Sequence, residues 1–313
     1  MISELIVCPK CGSRLSEEIE QLICQCGQNY QFRENVLCLE ESENYAQSFG
    51  EQWSQFAATQ IDTFTGSNLS EIRFFEETGW SKTELENAVV LDLGCGSGRF
   101  TEVASRYCKL VISVDLSAAV FAFPADIKAK SNVLRIHGDI RNLPLDYSKI
   151  THIFSIGVLQ HTPDPYRTLD QILNSLVPGT KFAFTAYGKK WYTCLQMKYV
   201  VRPFTTRIHR SFLLKAIKTL LSYTYRPLLV VAGIPVLGRI LKFIVPLSIY
   251  PELRGKLNYN QILEFMILDS FDALTPVYDK PLSMKRCLRI ARNYANESIK
   301  SSKAPMILTG VRS

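Results

Sequence analysis

From residue 88 to residue 186 the chain alternates between short apolar runs and amphipathic stretches. The runs 88–93, 110–114, 133–137, 152–156 and 181–186 are rich in Val, Ile, Leu and Phe, the make-up of strands buried on both faces. Between them lie helical stretches at 99–107 and 166–176, the second opened by Asp164 as N-cap and Pro165 at the first helical position. Strands alternating with helices predict a parallel sheet covered on both faces. A helix over 283–295 and strands near 297–301 and 306–312 bring the expected sheet to seven strands. Upstream, residues 43–87 read as helices and connections. They include a helix over 70–78 and a capping box at Ser81 and Glu84. Residues 187–280 break the rhythm. They are long, basic and apolar, interrupted by Pro227, Pro235, Pro246 and Pro251.

The turn after the first strand decides the chemistry. Asp92 lies near the strand's end, and Gly94, Gly96 and Gly98 come at alternate positions before the helix. Glycines there allow a tight turn and a close backbone approach to a ligand. The helix behind them aims its N–H groups and positive dipole end at the same place. Asp115, at the tip of the second strand, is placed to accept hydrogen bonds from both hydroxyls of a ribose.

The G-x-G-x-G turn, with Asp92 two residues before its first glycine, resembles motif I of the class I S-adenosylmethionine-dependent methyltransferases. Residues 153–179 resemble the corresponding part of the ubiquinone/menaquinone-biosynthesis type, although Thr151-His152 stands where many members carry an acid. The resemblance implies an α/β, Rossmann-like seven-stranded sheet over 88–313, with a helical insertion at 187–280. It implies S-adenosylmethionine as cofactor, held by Asp92, Gly94, Cys95, Gly96 and Gly98. Asp115 and Leu116 would hold the ribose, Asp139 and Ile140 the adenine, and Ile156 would line the site beyond the fourth strand. Helices of 43–87 would close over the cofactor, with Trp53 and Arg73 as lid residues and Arg73 reaching the methionine carboxylate. On the acceptor side His161 is the candidate general base, with Tyr187 as a second candidate. The 266–278 segment also resembles one recurring in these relatives; its acids, Asp269 and Asp272, belong either beside the acceptor or to helix capping.

Residues 1–42 carry a different signal. Cys8 and Cys11 form a C-x₂-C pair, and Cys24 and Cys26 a C-x-C pair, each followed by glycine. Two such pairs suit a tetrahedral four-thiolate zinc site, and the metal would supply stability that so short a segment lacks. The stretch resembles the Trm112-like zinc ribbon found before some methyltransferase domains, with a tighter second knuckle than that family's usual C-x₂-C. The expected zinc is structural. Cys38, flanked by Leu37 and Leu39, reads as a small buried residue.

Charge narrows the partners. Of 36 Lys and Arg and 29 Asp and Glu, residues 1–180 hold 14 and 23, and residues 181–313 hold 22 and 6. The C-terminal part therefore faces an anionic membrane surface, a phosphorylated or lipid-linked substrate or nucleic acid, or else compensates the N-terminal part internally. Nine cysteines without an export signal fit reduced thiols or metal binding, and predict a cytoplasmic protein, peripheral at a membrane if the basic part lies on lipid. The function expected is methyl transfer to a small molecule, possible lipid linkage included. An rRNA or tRNA methyltransferase and a catalytically inactive partner protein are the alternatives. The intact glycines and strand-tip acids weigh against the inactive partner.

Overall fold

A computed structural model describes residues 2–39, 56–295, 299–303 and 306–313. Trp53, expected on the lid, lies outside them. Seven strands form the expected sheet: β5 (Val89–Leu93), β6 (Leu110–Asp115), β7 (Val133–His137), β8 (His152–Ile156), β9 (Lys181–Ala186), β10 (Lys300–Lys303) and β11 (Met306–Val311). They run in the order β7-β6-β5-β8-β9-β11-β10, the first five parallel to one another and β11 antiparallel to both of its neighbours.

The sheet does not stop at seven strands. The N-terminal segment forms β1 (Ser16–Glu18), β2 (Gln21–Ile23), β3 (Asn29–Arg33) and β4 (Val36–Cys38), and β4 pairs in parallel with β7, Val36 against Arg135 and Cys38 against His137. Among the described residues the result is an eleven-stranded sheet rather than seven. The physical reason is that β7 would otherwise be an unpaired edge. The Arg135 Nη2 group fastens the join by donating to the Glu34 carbonyl at 2.7 Å. Cys38 is buried on β4, as its apolar neighbours imply.

Side chains alternate between the two faces of the central strands, as the pleat requires. Leu91, Ile153, Phe182 and Phe184 pack on one face, against the helices Pro165–Ser175 and Met284–Ala291. Val90, Phe154 and Ala183 pack on the other, with Phe74 and Phe100. Each fully buried side chain of this size is worth about 1.5–3 kcal/mol. Asp164 accepts from the backbone N–H groups of Tyr166 and Arg167, and the Ser81–Glu84 capping box is formed.

The insertion builds a core of its own. Helix α1 (Met197–Thr205) precedes α2 (Arg210–Ala232), α3 (Pro235–Ile244) and α4 (Tyr259–Leu274). One stripe of α2, including Leu214, Ile217, Leu221 and Leu229, is buried with Ile262, Phe265, Met266 and Phe271 of α4. No helix among the described residues is long and apolar enough to cross a membrane.

Candidate active site and cysteine cluster

A cavity of about 530 Å³ lies where the C-terminal ends of β5, β6 and β8 meet the insertion. Ten of the sequence-predicted residues line it: Arg73, Gly94, Cys95, Gly96, Asp115, Leu116, Ile140, Ile156, His161 and Tyr187.

The glycine turn shapes the first wall. Gly94 has φ +82°, which side chains rarely adopt, and a Cβ there would also run into Val158. The backbone N–H of Gly96 donates to Asp115 Oδ2 at 2.8 Å, while Ser117 donates to Oδ1 from its N–H at 2.8 Å and its hydroxyl at 2.7 Å. Those bonds occupy three of roughly four acceptor positions on the carboxylate. One ribose hydroxyl fits without rearrangement; a second requires the Ser117 hydroxyl to turn away. Burial raises the Asp115 pKa, against the lowering effect of these bonds.

Three expected cofactor residues sit elsewhere. Asp92 is buried behind the turn, accepting from the Thr101 hydroxyl at 2.7 Å, and burial pushes its carboxyl up to about 7, the nearby Asp115 charge adding to the rise. It braces the turn. Gly98, with φ +93°, is the N-cap of the helix Arg99–Ser105, and a Cβ there would come 2.8 Å from the Phe123 ring. Asp139 does not line the cavity: its carboxylate accepts from the Arg141 N–H and Nε, each at 2.9 Å, and from Nη2 at 2.5 Å. A guanidinium two residues away engages it first, in place of the expected adenine contact.

Arg99 is a cavity residue that the sequence reading passed over as the start of a helix. Its Nη1 donates to Gln60 Oε1 at 2.6 Å and its Nε to Ser70 Oγ at 3.0 Å. Arg73 and Arg99 both lie over the Phe100 ring, at 5.5 and 5.0 Å, and the Arg73 Nε is paired with Glu77 at 2.7 Å. Two guanidiniums meeting at one corner make a place for a carboxylate. Burial, with the Arg73 charge behind it, brings the Arg99 pKa down to about 10.

The opposite wall comes from the insertion. It includes Lys198, the 245–250 segment, Asp269 and Asp272. Gln60 Nε2 donates to Asp269 Oδ1 at 2.8 Å, and the Tyr250 hydroxyl donates to Oδ2 at 2.5 Å. Burial raises the Asp269 pKa and pushes Asp272 up to about 6, with the neighbouring Asp269 and Asp279 charges adding to the Asp272 shift and His161 opposing it. His161 has Nδ1 at 2.8 Å from the Tyr278 carbonyl, which fixes the proton on Nδ1 and leaves the basic lone pair on Nε2. Its ring meets Tyr187 edge-on at 6.1 Å. Tyr187 is 42% exposed, and the desolvation of its hydroxyl at the cavity together with the Asp272, Asp269 and Asp279 charges raises its pKa above the usual phenol value.

Outside the cavity lining, the sulfurs of Cys8, Cys11, Cys24 and Cys26 all lie within 4.8 Å of one another. Cys8 and Cys26 are 3.6 Å apart, Cys11 and Cys24 3.3 Å. A tetrahedral ion with metal–sulfur bonds of ~2.3 Å sets its sulfurs ~3.8 Å apart, so the donor set fits a thiophilic metal. The tight C-x-C knuckle still brings both thiols to the cluster.

Known proteins match the middle of the chain. Residues 91–184 match the family described as "Methyltransferase domain". The ubiquinone biosynthesis O-methyltransferase of Coxiella burnetii is 29% identical over 123 residues, 37% of this chain and 52% of that protein. The chain thus spans about half the length of that curated relative. The tRNA U34 carboxymethyltransferase of Pseudoalteromonas atlantica is 34% identical over 99 residues, 30% of each chain. Among solved structures, phosphoethanolamine N-methyltransferase 1 of Haemonchus contortus, in complex with phosphoethanolamine and S-adenosylhomocysteine, is 18% identical and covers 48% of this chain and 34% of its own, with a TM-score of 0.37. The family match starts within β5 and ends within β9, so the stretch that is similar to a methyltransferase domain takes in the strand tips that wall the cavity.

Proposed function

We propose that this protein transfers the methyl group of S-adenosylmethionine to a small-molecule acceptor held beneath the insertion. One observation carries the reading: a single cavity joins the glycine turn and Asp115 to His161, Asp269 and Asp272. Bound there, S-adenosylmethionine supplies an electrophilic methyl group on a sulfonium. Asp115 accepts from the ribose, the Ile140 N–H faces the adenine, and the Arg73–Arg99 corner takes the methionine carboxylate. The wall formed by 245–250 and α4 keeps water from the reacting atoms and holds the acceptor in line, which supplies much of the rate enhancement in a displacement of this kind. Where the acceptor must lose a proton, His161 Nε2 receives it, while the Tyr278 carbonyl holds the Nδ1–H and orients the ring.

Cys8, Cys11, Cys24 and Cys26 hold zinc in this reading. Four thiolates fill its coordination, so the metal's task is to fold the N-terminal segment.

The test is cofactor binding by calorimetry followed by transfer of labelled methyl groups to a metabolite extract. Asp115→Ala should weaken binding ~10–100-fold, the worth of a hydrogen bond to a charged group. Equal affinity in the two proteins would remove Asp115 from the site. Labelling of the RNA fraction alone would replace the small-molecule acceptor with a nucleic acid.

A further inference from the structure

Side chains that ought to be covered are exposed in one region. Of the 21 large apolar side chains exposed among the described residues, 15 lie between Trp191 and Ile244. On α2 they follow helical spacing: Phe212, Ala216, Leu220, Tyr223, Pro227 and Val230 form a stripe on the face opposite the buried one. This helix is therefore apolar on two sides, and the second has no partner among the described residues. Tyr223 is 83% exposed, and Trp191, outside the helix, 89%. On α3 the exposed residues Val236, Leu237, Ile240 and Ile244 again share one side.

Charge identifies what covers this surface. Between Asp170 and Glu252 the sequence contains no Asp or Glu and 12 Lys and Arg. Lys215 and Arg226, both exposed, flank the α2 stripe on one side. A second copy of the chain on this face would bring cations against cations. A surface that is anionic outside and apolar just beneath satisfies both features, because cationic heads meet phosphates while Phe, Leu and Val enter the acyl boundary. Trp and Tyr suit the level between the two. No helix among the described residues can span the bilayer, so the contact lies in the membrane plane.

We propose that the exposed face of α2 and α3 docks this protein onto an anionic phospholipid surface. The site is separate from the cofactor turn, and the same polypeptide stretch continues into the 245–250 wall of the cavity.

Sedimentation of the full chain with vesicles tests this, using phosphatidylcholine alone and phosphatidylcholine mixed with phosphatidylglycerol. Partitioning is expected to be roughly tenfold or more stronger on the anionic vesicles at low salt, falling as added salt shortens the screening length. Leu220→Asp with Tyr223→Ser should abolish most of it without lowering the melting temperature, since both side chains are exposed. Lys215→Glu should weaken binding to anionic vesicles only, and Asp115→Ala should leave it intact, which separates this proposal from the assigned reaction. Absence of vesicle binding would overturn it, as would binding that the double variant retains. A dimer in light scattering that Leu220→Asp dissociates, or salt-sensitive binding of mixed tRNA without vesicle binding, would overturn it as well.

Discussion

One wall of the cavity is drawn from residues 94–158 and rests on backbone: the positive φ of Gly94, the Gly96 N–H on Asp115, the strand tips of β5, β6 and β8. The facing wall is drawn from Gln60, Lys198, 245–250, Asp269 and Asp272 and rests on side chains. Its bonds join distant parts of the chain, as between Gln60 and Asp269, 209 positions apart. The first wall is drawn from one continuous stretch of the chain and suits a constant ligand. The second exists only after the insertion has packed, and under the proposed function acceptor choice resides there.

If the division is sound, damage to each wall has its own signature. His161→Gln should lower kcat by ~100–10,000-fold, the usual worth of general acid–base catalysis, with cofactor affinity unchanged. Single-turnover transfer to the labelled acceptor, beside calorimetry, separates the two quantities, and a matching loss of affinity would merge the walls into one. Gly94→Ala should cost about 1–3 kcal/mol of stability in denaturant unfolding, because alanine is strained at this φ. Val158→Ala on top of it should relieve only the side-chain collision, leaving the backbone cost. The effect that depends on pH belongs to Asp92. Its folded pKa of about 7 lies above the ~3.9 of an unfolded aspartate, so its contribution is intact below pH ~4 and is lost as pH rises through about 7. Asp92→Asn should therefore gain stability relative to the wild type across that window, while the two behave alike in acid.

The first wall was legible in the sequence and the second only in outline. Short buried runs set β5 to β9 within a residue of their expected ends, and the glycines announced the turn. Helix ends were less legible: the expected 99–107 and 283–295 stop at Ser105 and Ala291, where fraying and caps rather than periodicity decide. The capture of Asp139 by Arg141 is local and could have been read from their spacing. The role of Arg99 could not, because Gln60 and Ser70 position it from 39 and 29 residues upstream. Nor could the extension of the sheet, since β4 is three residues long and its apolar content fits any buried turn.

The pairing of β4 with β7 also sets an order of events. Val36 and Arg135 are 99 positions apart, so the N-terminal ribbon leaves the ribosome well before its docking strand has been made. For that interval it lacks the strand it pairs with, and under the proposed reading a metal held by its four thiols keeps it folded. Only when the central strands assemble does it close the open flank, so a segment made well before its partner strand is among the last to reach its final neighbour.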